Sequence, residues 1–271
     1  MTARPATAIV IPARYASQRF PGKPLSLLVG AGGIAKPLIQ RCWEAATTCR
    51  GIDRVIVATD DERIAAAAAS VGAEVVMTPV DCANGTERCA AVLDALGEGI
   101  GVIVNLQGDA PLTPVWFVEE TVEALVANEV AAMATPAIRC SPEQRRRLIA
   151  DQQAGRVGGT TVVFAQNGRA LYFSKRVIPY LPDAVGLGER DVPVHLHIGV
   201  YAYRREALAR YAAAPASAYE TLEGLEQLRF LDIGEQVAVV EVEARGRDIW
   251  ELNNPHDAAP IERELVRLGI A

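Results

Sequence analysis

Lysine is almost missing from this sequence. Lys23, Lys36 and Lys175 are the only three among 27 basic residues, so arginine carries nearly all the positive charge. The balance is still acidic, with a net charge of −6 at pH 7, which argues against nucleic acid as the main partner. The five cysteines (Cys42, Cys49, Cys82, Cys89 and Cys140) contain no C-x-x-C pair and are odd in number. That pattern argues against a disulfide framework or a thiolate metal site, and fits reduced thiols in the cytoplasm. No apolar run is long enough to cross a bilayer, and Met1 to Pro5 leads into a strand without a signal-like apolar core. A cytoplasmic protein away from membranes is expected. Two phosphate motifs are also missing, G-x-x-x-x-G-K-[ST] and G-x-G-x-x-G. Their absence sets aside P-loop enzymes and, with them, NAD-dependent dehydrogenases built on a similar sheet.

Half of the residues are hydrophobic, enough for a sizeable core in one α/β domain over residues 1–271. The chain is organised around its first strand. Ile9, Val10 and Ile11 form a short apolar run of the fully buried kind, which breaks at Pro12. The following loop gathers Arg14, Arg19 and Lys23 around a Pro21-Gly22 turn. A buried strand that empties into a basic, stiffened loop is a phosphate-holding arrangement, because α/β sheets bind ligands beyond their strand carboxyl ends. A basic surface turn is the plainer alternative.

Downstream, the spacing predicts a helix over 34–49, a strand over 54–60, a helix over 61–71 stopped by Gly72, and a strand over 74–77. This alternation predicts a doubly wound, mostly parallel sheet. Asp60 or Asp61 is expected to cap a helix rather than to touch a ligand. Asn84-Gly85 forces a tight turn, and Thr86 is expected to cap a helix running through Leu96. Val102 to Val104 is a strand that ends in Asn105, Gln107, Gly108 and Asp109, with Gly108 allowing close approach of a ligand to the backbone. Asp109 is a hard-oxygen ligand suited to Mg²⁺ on nucleotide phosphates, or else a turn aspartate. Further on, a helix is expected over 115–128, a strand over 131–134, and a helix from Ser141 carrying Arg145 to Arg147 as a solvated face. Val194 to Arg204 alternates as one strand, placing His195 with His197 and Tyr201 with Tyr203 on shared sides. The two histidines lack a third ligand for zinc. A helix over 217–231 carries Glu220, Glu223 and Glu226, and a last helix spans 258–268.

The run Pro12-Ala-Arg-Tyr-Ala-Ser-Gln-Arg-Phe-Pro-Gly-Lys-Pro-Leu25 resembles the nucleotide loop of the cytidylyltransferases that make CMP-KDO, KDO being a 2-keto-3-deoxy sugar acid. Asn84-Gly-Thr-Glu-Arg88, Asn105-Leu-Gln-Gly-Asp-Ala-Pro111, Ala170-Leu-Tyr-Phe-Ser174 and Leu225-Glu-Gln-Leu-Arg229 match the same family in order, so the resemblance covers most of the chain. It implies a nucleotide-diphospho-sugar transferase fold, with a smaller dimerisation segment at about 133–190, and a homodimer. The implied reaction moves CMP from CTP to a small acidic acceptor and releases pyrophosphate. By resemblance, Ala13, Arg14, Ser17, Arg19, Lys23, Asn84, Gly85, Thr86, Arg88, Gln107 and Gly108 meet CTP. Asp109 and the residue at 253 hold Mg²⁺, while Lys175, His197, Tyr201, Glu226 and Gln227 face the acceptor. Arg14, Arg19, Lys23 and Asp109 are the catalytic set.

The departures from the family pattern matter as much as the matches. Asn84 stands where Ser is usual, Ala110 where Glu is usual, and Lys175 where Arg is usual. Asn253 replaces the second metal-binding Asp. An ammonium is a point charge where a guanidinium grips a planar carboxylate, and an amide brings no charge to a cation. Three readings therefore stay open: a KDO-like acceptor, a phosphonate acceptor, and an inactive nucleotide-binding regulator.

Overall fold

A computed structural model describes residues 4–16, 19–182 and 192–271. Twelve strands are named here in chain order. They are β1 (Ala6–Ala13), β2 (Leu27–Val29), β3 (Ala35–Pro37), β4 (Arg54–Thr59), β5 (Glu74–Met77), β6 (Ile100–Leu106), β7 (Met133–Arg139), β8 (Thr161–Phe164), β9 (Ala170–Ser174), β10 (His195–His197), β11 (Val200–Arg204) and β12 (Val237–Glu241). All but β2 and β3 belong to one sheet of order β5-β4-β1-β6-β11-β7-β10-β8-β9, with β12 alongside β7.

The half β5-β4-β1-β6 is parallel throughout, and β12 also runs parallel to β7. Beyond β6 the pairings turn antiparallel, through β11, β7, β10, β8 and β9. The expected alternation thus builds the first half, and strands β7 to β11 pair as an antiparallel extension of it. Alternate residues of β1 feed different sides of the sheet. Ile9 and Ile11 pack in one apolar cluster and Ala8 and Val10 in the other, all fully buried. Burial of each isoleucine contributes about 1.5–3 kcal/mol, so β1 is a firm base for the loop that leaves it.

Several element boundaries differ from the sequence expectation. The helix expected over 34–49 is confined to Leu38–Thr47, because Pro37 ends a small β2–β3 hairpin turned by Gly30, Gly32 and Gly33. The buried strand expected over 131–134 begins later, at Met133, and runs on to Arg139. The expected strand 194–204 is two strands, since β10 pairs with β7 and β8 whereas β11 crosses to lie between β6 and β7. The helix expected over 217–231 is broken in two by Gly224, whose left-handed backbone (φ 60°) closes Ala218–Glu223 before Gln227–Asp232 begins. Asp61 does cap the next helix, accepting from the Arg63 and Ile64 N–H groups, and Ser141 caps Pro142–Gln153 through a reciprocal bond with Gln144. Among the described residues no helix is long and apolar enough to cross a membrane.

Candidate functional site

The carboxyl ends of β1 and β6 open into a cleft of about 400 Å³. Its walls come from three loops. The first leaves β1 at Ala13 and doubles back at Gly22, whose N–H donates to the Tyr15 carbonyl (2.9 Å). Gly22 has φ 71°, and a Cβ there would lie 2.9 Å from the Tyr15 ring, so only glycine permits the turn. The Tyr15 ring is held in place by the Arg63 guanidinium, 3.5 Å above its centre. This turn delivers Arg14, Arg19 and Lys23 to the cleft. Ser17, expected to meet CTP, lies outside the described residues.

The second loop leaves β6 with Gln107, Gly108 and Asp109. Lys23 forms an ion pair with the Asp109 carboxylate. Gly108 lines the cleft, and a Cβ there would stand 2.6 Å from the Pro12 carbonyl oxygen, so the glycine also lets two protein loops touch.

From far downstream, the stretch 251–253 returns to the same place. The Leu252 N–H donates to the Asp109 carbonyl (2.8 Å), and Leu252 is fully buried. Its neighbours Glu251 and Asn253 lie on the open side. Arg19 Nη2 donates to Asn253 Oδ1 (2.9 Å), and Asn253 Nδ2 donates to Glu251 Oε2 (3.2 Å). Glu251 was not among the residues expected to matter. The signal for it was its position two residues before Asn253, the same-side spacing of an extended segment. Burial of its carboxyl and the charge of Asp109 raise it above the ordinary glutamate range. Water reaches the residue, so the repulsion from Asp109 is the part retained.

The third loop carries Asn84, Gly85 and Arg88. Asn84, not Thr86, caps the helix Gly85–Ala90, its Oδ1 accepting from the Glu87 N–H at 2.8 Å. Thr86 is the second residue of that helix and is enclosed. Its N–H donates to Glu226 Oε2 (2.7 Å), and its hydroxyl meets the Tyr203 hydroxyl (2.8 Å). The Arg88 guanidinium is engaged with Asp60 (3.0 Å) and Thr78, so it braces the cleft wall. The helix through Leu96 is interrupted, giving Gly85–Ala90 and Leu93–Leu96. Behind this loop Arg229, itself buried, donates to Glu220 (2.6 Å) and Glu87 (2.9 Å), while Glu220 faces Asn84 Nδ2 and Tyr211.

Of the five residues expected at the acceptor, only Glu226 lines the cleft. Its carboxyl is raised by burial and by the charges of Glu220 and Glu87. Tyr201 lies just behind, with its hydroxyl directed at Gln227 Oε1 (3.4 Å). His197 is 5.5 Å from Tyr201, between ring centres, and is bound to the Thr135 hydroxyl (2.8 Å). Burial pushes its imidazole down to about 3, so it is neutral. Lys175 is exposed at the end of β9, where its N–H donates to Glu223 (2.9 Å). Three buried amide atoms in this region have no partner: both polar atoms of the Asn105 side chain and Gln227 Nε2. Asn105 and Tyr201 are directly paired across β6 and β11.

The cleft therefore joins Arg14, Arg19 and Lys23 to the Asp109 carboxylate on its floor, with Glu226 and several amides along its inner wall. Among the described residues no group of three or more His, Cys, Asp and Glu is assembled to hold a metal. Asp109, Glu251 and Asn253 nonetheless offer only hard oxygen donors, which suits Mg²⁺ completed by phosphate oxygens and water.

Residues 8–237 match a family model described as cytidylyltransferase. The chain is 45% identical to a 3-deoxy-manno-octulosonate cytidylyltransferase of Maricaulis maris (strain MCS10), over 96% of this chain and 97% of the other. It is 37% identical to the protein of the same name from Chlamydia abortus, over 94% and 92%. Among solved structures it is similar to CMP:2-keto-3-deoxy-manno-octonic acid synthetase complexed with CTP. The TM-score is 0.81 at 33% identity, over 95% of this chain and 97% of the other.

Proposed function

This chain belongs to the cytidylyltransferase family, within its 3-deoxy-manno-octulosonate branch, and from that premise we propose that it transfers CMP from CTP to KDO and releases pyrophosphate. The observation that carries this reading is the convergence of Arg14, Arg19, Lys23 and Asp109 on one cleft at the carboxyl ends of β1 and β6. Similarity along the whole length to enzymes named for KDO favours that acceptor over a phosphonate and over an inactive regulator.

The reaction forms a bond between an acceptor hydroxyl oxygen and the α-phosphorus and breaks the bond from that phosphorus to the bridging oxygen, which leaves with pyrophosphate, while the hydroxyl proton is released to solvent. Catalysis at phosphorus is mainly positioning and charge neutralisation. Arg14, Arg19 and Lys23 hold the triphosphate and offset charge growing on the departing pyrophosphate. Asn84 and Gly85 border the base-side wall with Thr86 enclosed behind them, Ala13, Gln107 and Gly108 lie beneath the sugar, and Arg88 is the brace. Asp109 and Asn253 would hold Mg²⁺, which when bound polarises the α-phosphate and neutralises charge. On the acceptor side, Glu226 is the cleft-facing end of an inner layer formed by His197, Tyr201 and Gln227, and Lys175, outside the cleft lining, is the counter-charge for the acceptor's carboxylate.

A homodimer in the cytoplasm completes the proposal. The antiparallel extension within 133–190 ends in an edge strand, β9, that leaves Leu171 half exposed. Next to it Tyr172 meets Tyr219 edge-on (6.3 Å), and Leu222 is 85% exposed. A monomer would leave this apolar edge in water. Light scattering of the purified protein tests the dimer, and Leu222→Glu is expected to halve the mass. The activity is tested by pyrophosphate release from CTP and Mg²⁺ with KDO, other sugar acids and small phosphonates supplied in turn. Turnover with KDO supports the reading. Turnover only with a phosphonate, or with none, refutes it.

A further inference from the structure

We infer that Glu251 supplies the carboxylate that Asn253 cannot, so that Asp109 and Glu251 are the protein's two anionic ligands for the divalent cation that accompanies CTP. This rests on the cytidylyl-transfer reading above and adds to it a residue outside the family's matching positions.

Asn253 offers a cation a neutral oxygen only, and its amide makes two further contacts. Its Oδ1 accepts from Arg19 at 2.9 Å, and its Nδ2 donates to Glu251 Oε2 at 3.2 Å. Only an amide can do both, since an aspartate has no donor to offer a neighbouring carboxylate. Asn253 therefore ties the cationic loop to Glu251 and fixes where that carboxylate stands. The backbone is pinned to the same spot, because the Leu252 N–H donates to the Asp109 carbonyl at 2.8 Å. With Leu252 directed into the core, Glu251 is left on the open side beside Asp109.

Space and charge point the same way. A Cβ on Gly199 would come within 3.7 Å of Glu251 Oε1 and 3.6 Å of the Gln107 side chain, so Glu251 reaches over a position with no side chain of its own, alongside the loop that carries Asp109. Among the described residues the Glu251 side chain has Asn253 as its hydrogen-bond partner and no ion pair. Arg14, Arg19 and Lys23 share the cleft with Asp109 and Glu226, and Asn253, which also lines it, holds the Glu251 carboxylate at its edge. An aspartate at 253 would bring a second charge to Asp109; here that charge stands two residues earlier. Mg²⁺ holds carboxylate oxygens in preference to amide oxygens, so moving the charge to 251 keeps a hard, anionic set with room for phosphate and water.

The test is Mn²⁺ binding to the full chain, followed by the electron paramagnetic resonance of free Mn²⁺, with CTP present and acceptor omitted. The wild type is expected to bind Mn²⁺ together with CTP. E251Q is expected to weaken Mn²⁺ at least ~10-fold while circular dichroism and melting stay unchanged, and E251Q/N253D is expected to recover most of the loss. Undiminished Mn²⁺ affinity in E251Q overturns the inference, as does a double variant no better than the single one. Should E251Q lose its fold, E251D is measured instead; it keeps the charge but retracts it, and full affinity there also overturns the inference. A wild type that binds CTP but no Mn²⁺ overturns this inference alone. A wild type that binds no CTP overturns the cytidylyl-transfer reading as well.

Discussion

Lys23 and Asp109 are 86 positions apart in the sequence and form an ion pair on the floor of the cleft. Both side chains are mostly shielded, at 15% and 22% exposure, so the pair joins the loop after β1 to the loop after β6 in a place where charge is felt strongly. Lys23→Met removes one of the three cleft cations to which the proposal assigns the leaving pyrophosphate. A drop of about 10²–10³ in kcat/KM is expected, the size of losing one preorganised charge-stabilising donor. Pyrophosphate release with saturating KDO measures it, and a drop below fivefold would count against the assigned role.

Arg229 is a structural counterpart to that pair. Its guanidinium donates to Glu220 and Glu87 behind the loop that holds Asn84. Arg229→Met should cost about 3–5 kcal/mol in urea unfolding, because Glu220 is left buried with its charge unpaired. Arg229→Lys should recover only part, since one ammonium cannot reproduce the forked contacts.

Gly108→Ala places a methyl group 2.6 Å from the Pro12 carbonyl oxygen. Backbone must move to admit it, at a cost of about 1–3 kcal/mol. The two loops that move both line the cleft, so CTP affinity should fall along with the melting temperature. Calorimetric titration with CTP checks this; normal affinity at a lowered melting temperature would show that the contact is structural only.

His197 sets a pH dependence of stability. Burial holds its imidazole down to about 3, against an ordinary value near 6.5. Above pH 6.5 the ring is neutral in both states and its contribution to stability is fully present. As pH falls below 6.5 the unfolded chain takes up a proton that the folded chain refuses, and stability declines by about 1.4 kcal/mol per pH unit towards pH 3. His197→Gln keeps a partner for Thr135 without titrating. Its urea midpoint should therefore fall less steeply than the wild type's between pH 6 and pH 4, and parallel profiles would disprove the account.

Much of this was legible in the residues. The apolar run of β1, the Pro21-Gly22 turn and the three cations are local signals, and they locate one wall of the cleft. Asp61 and Ser141 as caps were legible for the same reason, since a cap is decided within four residues. What stayed hidden depends on contacts across the chain. Asn84 displaces Thr86 as the cap because Thr86 is drawn to Glu226 and Tyr203, neither near it in sequence. Gly224 splits a helix whose composition is helical on both sides. Glu251 could have been noticed from its spacing to Asn253, but its nearness to Asp109 follows only from the Leu252 bond to the Asp109 carbonyl.

That same bond dictates when the protein becomes competent during its synthesis. The parallel half of the sheet, with the cationic loop and Asp109, is translated before residues that complete its core, among them Leu252, Ile261 and Leu265. The cleft is therefore finished only once residue 252 has been made and has docked on the Asp109 carbonyl.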